Sequence, residues 1–581
     1  LIFSPRPNGL LQLCDHNMKI LLIYPYSIDK RIQKDDISVI PMGLYYIGAL
    51  LKKKCYDVEI LNFYDLDKDS PIIRSIIAEK KPDLIGFSIF HANRWGGIEI
   101  MRIAREICSD VKIVFGGIGA TFLWKHLLTH FKEIDYVITG EGEYSFLNLL
   151  EALKGEKSEK KSLSFRDIGG LAFRNGDKVE KNEPFNHIMN LDTLPNPALY
   201  FTYQHLSLTR GCPGNCTFCG SPQFWGKGVR FHSSDYFVDQ IEMLYKKGVT
   251  FFYFSDDTFT LKKNLVIEIC KKIIKRNLHI SWAAISRVNY VSEEILLWMK
   301  RAGCLQISYG VESGSEKIRK RLNKKINTDD IKKAFDLTIK YGILARAYFI
   351  YGCPGENEAT IRETIDLVKQ IQPLSVIFYM LVLFPGTALY EDFEKRCKVD
   401  DDIWLDKVED IPYFETDSDL SGETVIDFGK KLRLSYYDNL PDFANNIRLV
   451  KKKELYVTHA DFYSRLGMTF SHGDYAGIDA IKYKERTAAG LYQKALEYYP
   501  DHRAYLGLGI IKQKYGMYEE SAAILTEAIH HYSGSESLHI CLGMTWMNLK
   551  KYDKALSCFL KFQNSKGVIG HIMNCYRLSH K

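Results

Sequence analysis

The stretch "RGCPGNCTFCG", Arg210–Gly220, sets Cys212, Cys216 and Cys219 in a CxxxCxxC array with no fourth cysteine nearby. A structural zinc site wants a closed tetrahedron. Either a histidine such as His205 or His232 completes it, or one position is meant to stay open. A redox pair made by Cys216 and Cys219 leaves Cys212 unexplained. Chance burial does not suit a loop rich in glycine and proline, where little core exists to hold three thiols. The remaining arrangement is a 4Fe–4S cluster held by three thiolates with one iron free. Pro213, Gly214 and Gly220 let the loop curl round such a cube, and Phe218 gives it an apolar neighbour.

Working outward, the loop follows the first of six strand-then-helix patterns. Strands are expected at about His205–Thr209, Thr250–Ser255, Ile280–Ala284, Gln306–Tyr309, Ala345–Tyr351 and Val376–Leu383. Six such units predict a partial (β/α)6 barrel, whose active site lies at the carboxyl ends of its strands. The conspicuous motifs all fall there. "SDDTF" puts Asp256 and Asp257 after the second strand, Arg287 follows the third, and "YGVESGS" puts Glu312 after the fourth. "YGCPGE" puts Gly352, Cys353, Pro354 and Gly355 after the fifth, and "FPGTALY" follows the sixth. Any one of these could be an ordinary helix cap, but six on one rim make a site.

Ahead of the barrel, β-branched runs at Lys19–Tyr24, Val58–Leu61, Leu84–Ser88, Lys112–Phe115 and Tyr136–Thr139 alternate with helical patterns such as Leu44–Lys53 and Gly97–Cys108. This alternation predicts a doubly wound, Rossmann-like α/β domain. Gly116-Gly117 and Gly140-Glu141-Gly142 fall at carboxyl ends, where such sheets bind ligands and where a missing side chain lets a large ligand approach the backbone. A hairpin is expected around Arg174–Asp177, and Pro195 and Pro197 mark a linker.

The 581 residues are too many for one core. The expected organisation is a disordered extension over 1–17, with Met18 as the start, the α/β domain over 18–155, and a hairpin and linker over 156–200. The barrel follows over 201–396, then a helical connector of unassigned role over 397–484. In the last stretch Gly509 and Gly543, Tyr518 and Tyr552, and Leu525 and Phe559 recur at a 34-residue offset. That period resembles tetratricopeptide repeats, expected over 485–565 with a tail over 566–581; an ordinary helical bundle is the alternative. A net charge of +7 is mild for this length and gives no argument for nucleic acid. No apolar run reaches membrane-spanning length. Thirteen cysteines and no secretory leader point to a reducing cytoplasm.

CxxxCxxC with an aromatic before the last cysteine resembles the radical SAM superfamily. The leading α/β domain, with "PMGLYYIGALL" (Pro41–Leu51), "VFGGIGATF" (Val114–Phe122) and "DYVITGEGE" (Asp135–Glu143), resembles its cobalamin-binding family over roughly Met18 to Cys397. The resemblance implies that Cys212, Cys216 and Cys219 hold the cluster and that its open iron chelates S-adenosylmethionine (SAM). Reductive cleavage of SAM to a 5′-deoxyadenosyl radical follows, with an electron donor such as a flavodoxin or ferredoxin. Asp256 and Asp257 stand where the family has Gly-Gly-Glu at the methionine amino group. Arg287 and Glu312 would meet the SAM ribose or carboxylate, and Gly352 and Pro354 would let adenine lie on backbone. Cys353 is a hydrogen donor or a core residue. Cobalamin would rest against Gly116, Gly117 and Gly142. The cobalt-ligating D-x-H-x-x-G motif is absent, leaving His91, just past the third strand, as the one histidine to consider.

The activity implied is methyl transfer to an unactivated carbon of a small molecule or peptide, or a cyclase, oxidase or rearrangement of the same family. A methylthiotransferase-like RNA modifier would need a second cluster from Cys14, Cys55 and Cys108. A non-catalytic metal-binding adaptor would use the repeats to hold a protein partner.

Overall fold

The computed structural model describes residues 18–28, 39–66, 70–155, 163–184, 186–226, 228–407 and 410–579. The expected extension over 1–17 thus lies outside the described residues, which begin at Met18.

The first sheet is built from β1 (Lys19–Tyr24), β2 (Asp57–Asn62), β3 (Leu84–Ser88), β4 (Lys112–Gly116) and β5 (Tyr136–Ile138), all parallel, in the order β2-β1-β3-β4-β5. Strand β3 is buried at every position, as a central parallel strand covered on both faces must be. The chain reverses its direction of travel across the sheet between β1 and β3, which opens a crevice at their carboxyl ends. The hairpin of β6 (Leu171–Asn175) and β7 (Lys178–Lys181) is no separate linker element. It adds two antiparallel strands to the same sheet, β6 against β5.

The second sheet contains β8 (His205–Leu206), β9 (Phe251–Phe254), β10 (Ser281–Ser286), β11 (Cys304–Glu312), β12 (Leu344–Tyr351) and β13 (Ser375–Met380). All neighbours are parallel and run in chain order from β8 to β13, and the two edge strands do not pair. The barrel is therefore open. Along β12 burial alternates with the pleat: Ala345, Ala347 and Phe349 are sealed in the core, while Arg346 and Tyr348 are half-buried on the other face.

The connector has a structural role that its composition did not reveal. Trp404, in the short helix Ile403–Asp406, is fully buried in a core shared by the first sheet's helices and the barrel. Its indole nitrogen donates to the Tyr390 hydroxyl at 2.8 Å, and its ring lies 3.9 Å from that of His91. Arg94, buried beside it, donates to the carbonyls of Trp404 and Lys407 at 3.3 and 3.0 Å. The long helix Gly422–Asn445 then packs across β12 and β13. Beyond it the chain is helical, and the helices Lys484–Tyr498, His502–Lys514, Tyr518–His531, Glu536–Asn548, Tyr552–Leu560 and Lys566–Ser579 each pack on the next. Among the described residues no helix is long and apolar enough to cross a membrane.

Candidate active site

Strand β8 runs into a short antiparallel ribbon, Thr209–Arg210 against Arg230–Phe231, and the cysteine loop springs from it. Gly211 makes the turn with φ +96°, where a Cβ would stand 2.6 Å from the Gly228 carbonyl oxygen, so only glycine fits. The loop's backbone is tied down by the segments that follow two other strands, one after the helix Glu316–Arg321 and one in the helix Ala388–Cys397. Thr217 donates its N–H to the Leu322 carbonyl (3.1 Å), Leu389 donates to the Thr217 carbonyl (3.0 Å), and the Asn323 amide donates to the Asn215 carbonyl (2.6 Å). The loop is thus fixed before any ligand arrives.

Neither histidine closes a zinc tetrahedron. His205 pairs with Ser255 at 2.8 Å, and both ring nitrogens of His232 are engaged, by Tyr46 and Asp192 at 2.9 Å each. Three sulfurs around one zinc would stand about 3.8 Å apart. Among the described residues the three sulfurs do not all lie within 4.8 Å of one another, so they are not gathered round a point where one ion would sit. Burial raises the Cys219 thiol to about 12 and raises Cys216 as well, with Lys324 and Arg287 pulling Cys216 back. Metal ligation is what would ionise such thiols. A pre-tied loop that offers three thiols, not drawn together onto one point, fits a cluster with one open corner.

The rim residues come together, but in different roles. Arg287 lies under the loop; a Cβ on Gly214 would be 2.8 Å from its guanidinium. Glu312, held at φ +67°, pairs with Lys324 at 2.6 Å, both side chains buried. The two aspartates separate. Asp257 stays exposed, close enough to Cys219 to raise its thiol, and accepts from Ser221 Oγ at 2.5 Å. Asp256 turns inward, where Oδ1 accepts from the Thr209 N–H and hydroxyl at 2.6 and 2.7 Å, while Oδ2 is buried without a partner. Burial raises its carboxyl to about 6. Gly352 and Gly355 adopt φ of +77° and +67°, and the buried Glu356 accepts from the N–H groups of Gly352 and Cys353 at 2.5 and 3.2 Å. The Arg321 guanidinium donates to the Pro354 carbonyl at 2.9 Å. Cys353 is fully buried and its thiol faces the Ile350 carbonyl, so it belongs to the core. Phe218 packs on the apolar cluster that joins the two domains.

Beside the loop lies a cavity of about 560 Å³. Its floor is the carboxyl edge of the first sheet, with Tyr24, Ser88, Gly116, Gly117, Gly140 and Gly142 among its lining residues, and its wall is Ser207, Thr209 and Arg210 from the strand that enters the cysteine loop. Nothing lies within 4 Å of where a Cβ on Gly140 would be, and nothing within 3.7 Å of one on Gly116. Backbone is therefore exposed over a mostly apolar chamber, the kind of cradle that a large flat ligand needs. His91 does not line it. That ring is buried against Trp404 and Arg94.

Between the chamber and the loop runs an ion network that sequence reasoning missed. Glu141 is buried and takes Arg210 at 2.6 Å and Arg230 at 2.7 Å, while Arg210 also reaches Glu143 at 2.5 Å. The "GEGE" and "RGC" motifs were both visible, but nothing local says that they meet.

Comparison with known proteins agrees with this geometry. Residues 206–368 match the radical SAM superfamily and residues 36–150 match the B12 binding domain. The chain is 31% identical over 386 residues to an uncharacterized methyltransferase of Pyrococcus horikoshii, covering 64% of this chain and 83% of that protein. It is 27% identical to an anaerobic magnesium-protoporphyrin IX monomethyl ester cyclase of Rubrivivax gelatinosus, covering 62% and 67%. Among solved structures, the radical SAM methyltransferase TsrM of Kitasatospora setae superposes with a TM-score of 0.55 at 19% identity, over 65% of this chain and 76% of that one. The cobalamin-dependent radical enzyme OxsB has a TM-score of 0.53 at 17% identity, over 97% and 84%, so the shared fold extends into the helical tail. A 4Fe–4S cluster, SAM and cobalamin are the cofactors that these families imply, and the loop and chamber fit them. The chain belongs to the radical SAM superfamily, among the members that carry a B12 binding domain ahead of the SAM barrel.

Proposed function

We propose that this enzyme transfers a methyl group to an unactivated carbon of a small-molecule substrate. The observation that carries this is the shared wall: Thr209 and Arg210 line the glycine-floored chamber and lead directly into the cysteine loop. When bound, the cluster and SAM supply a 5′-deoxyadenosyl radical, and cobalamin supplies a methyl carrier. The chain's own residues hold and shield that chemistry. Cys212, Cys216 and Cys219 are the cluster ligands, and Arg287 stiffens the loop from below. Glu312, oriented by Lys324, and Asp257 are set to meet the polar groups of SAM, while the Gly352–Gly355 turn offers backbone to adenine. Asp256 works one step back, holding the strand that delivers the cysteines.

The test is anaerobic turnover with reductant, supplied chemically or by a flavodoxin or ferredoxin. Equal accumulation of 5′-deoxyadenosine and S-adenosylhomocysteine is expected. The first product without the second would replace methylation with a cyclisation or rearrangement, the kind of chemistry named for the Rubrivivax relative. A methylthiotransferase is disfavoured because Cys55 and Cys108 follow helices that lead into β2 and β4, at the sheet edge opposite the chamber; Cys14 lies outside the described residues.

The helical tail is read here as tetratricopeptide-like. A Cβ on Gly509 would be 2.7 Å from Leu525, and one on Gly543 would be 2.4 Å from Phe559. The same glycine-under-apolar contact thus recurs one 34-residue period later. A protein or peptide partner on this array is part of the proposal.

A further inference from the structure

His126 and His130 lie one turn apart on the helix Trp124–His130 and so share a face. Opposite them is Asp402, at the start of the short helix that carries Trp404 into the interdomain core. His130 Nε2 is 2.8 Å from Asp402 Oδ1, and His126 Nδ1 is 3.7 Å from the same oxygen. All three ligand atoms lie within 4.8 Å of one another. Ligand atoms around one tetrahedral zinc stand about 3.3 Å apart, and these two separations lie on either side of that spacing, within about half an ångström.

A hydrogen bond between His130 and Asp402 would explain part of this cluster, but not His126. That side chain is 1% exposed, and neither of its ring nitrogens has a hydrogen-bond partner. An orphaned buried imidazole is costly, and a metal at Nδ1 would engage one of its two nitrogens. The surrounding charge is compatible. Asp400 accepts the Asp402 N–H at 3.0 Å, Asp401 adds a further carboxylate beside it, and the cations these groups feel are Lys125 at Asp401 and Arg94 at His126.

We propose that His126, His130 and Asp402 bind one divalent ion of the zinc class, with water in the fourth position, separate from the cluster site. Its role is mechanical. It fastens the connector to the first domain at the point where Trp404 covers His91 and Arg94.

The experiment uses tag-free full-length protein in which Cys212, Cys216 and Cys219 are all serine, so that no cluster competes. After treatment with chelator and exposure to zinc alone, mass spectrometry should count one zinc per chain. His130→Ala and Asp402→Ala, both at solvent-accessible positions, should each weaken binding at least tenfold while far-ultraviolet circular dichroism is unchanged. Cobalt(II) in place of zinc should give the visible bands of a tetrahedral nitrogen/oxygen site without thiolate charge transfer. Zinc should also raise the Tm of the parent and not that of Asp402→Ala, because an ion that binds only the folded state stabilises it. No stoichiometric zinc in the parent, or equal binding in both variants, overturns the proposal.

Discussion

Arg210 Nη1 lies 2.6 Å from Glu141 Oε1, both side chains buried, so the strand that delivers the cluster loop is tied to the loop that floors the neighbouring chamber. Burial alone would raise the Glu141 carboxyl, but Arg210 and hydrogen bonds from Arg230, Arg210 and the Ile188 N–H outweigh it and hold it below its ordinary value. Stability from this group is therefore full above the unfolded carboxylate pKa and is lost as pH falls through the lower folded value. Glu141→Gln should cost about 3–5 kcal/mol at pH 7, since it takes from the buried Arg230 the carboxylate it pairs with and leaves Arg210 to Glu143 alone. The wild-type advantage should shrink in acid. Urea unfolding at pH 7 and pH 4 checks both.

Asp256 behaves in the opposite sense. Its folded carboxyl titrates at about 6 because it is buried, against about 3.9 in the unfolded chain. The folded state is penalised as pH rises through that interval, and the penalty is constant above it. Asp256→Asn keeps the acceptor for Thr209 and should stabilise the protein at pH 8 by at most about 3 kcal/mol, with no gain below pH 4. SAM affinity should change less than tenfold. A larger loss would mean that Asp256 contacts SAM itself.

Serine at any one of Cys212, Cys216 or Cys219 should abolish the broad absorbance of the reconstituted cluster and SAM cleavage with it. Thermal stability should change little, because the loop is tied by the backbone bonds to Leu322 and Leu389 rather than by the thiols.

Gly116 lines the chamber at ordinary φ with room for a side chain. Gly116→Leu should fold and should lose cobalamin binding at least tenfold, read from the corrin spectrum after gel filtration, while the iron count stays unchanged.

His91 and Trp404 provide the complementary test. Trp404→Ala empties a fully buried site and should cost about 3–5 kcal/mol. His91→Ala should lower stability but leave cobalamin affinity and the electron paramagnetic resonance spectrum of bound cob(II)alamin unchanged, because its ring packs on Trp404 outside the chamber.

Local spacing made the cysteine loop readable, because three thiols within eight residues, on a loop too rich in glycine and proline to bury them, already ask for a common ligand. Periodicity likewise revealed both sheets, since buried parallel strands and amphipathic helices leave unmistakable patterns. The placement of Gly116, Gly117 and Gly142 followed from their position at strand ends. The "SDDTF" motif shows the limit: neighbouring residues point to opposite sides of an extended chain, and only the folded protein shows that Asp257 stays exposed beside Ser221 and Cys219 while Asp256 supports Thr209.

The CxxxCxxC array, the order of the βα units and the glycines at their ends were determined by the sequence alone, since each is a property of a few consecutive residues. Tertiary structure decided which charges meet. Glu141 finds Arg210 across 69 positions and Arg230 across 89, and His130 finds Asp402 across 272. A carboxylate carries no local mark of its partner; burial beside a particular guanidinium or imidazole supplies it, and burial exists only once the domains have packed.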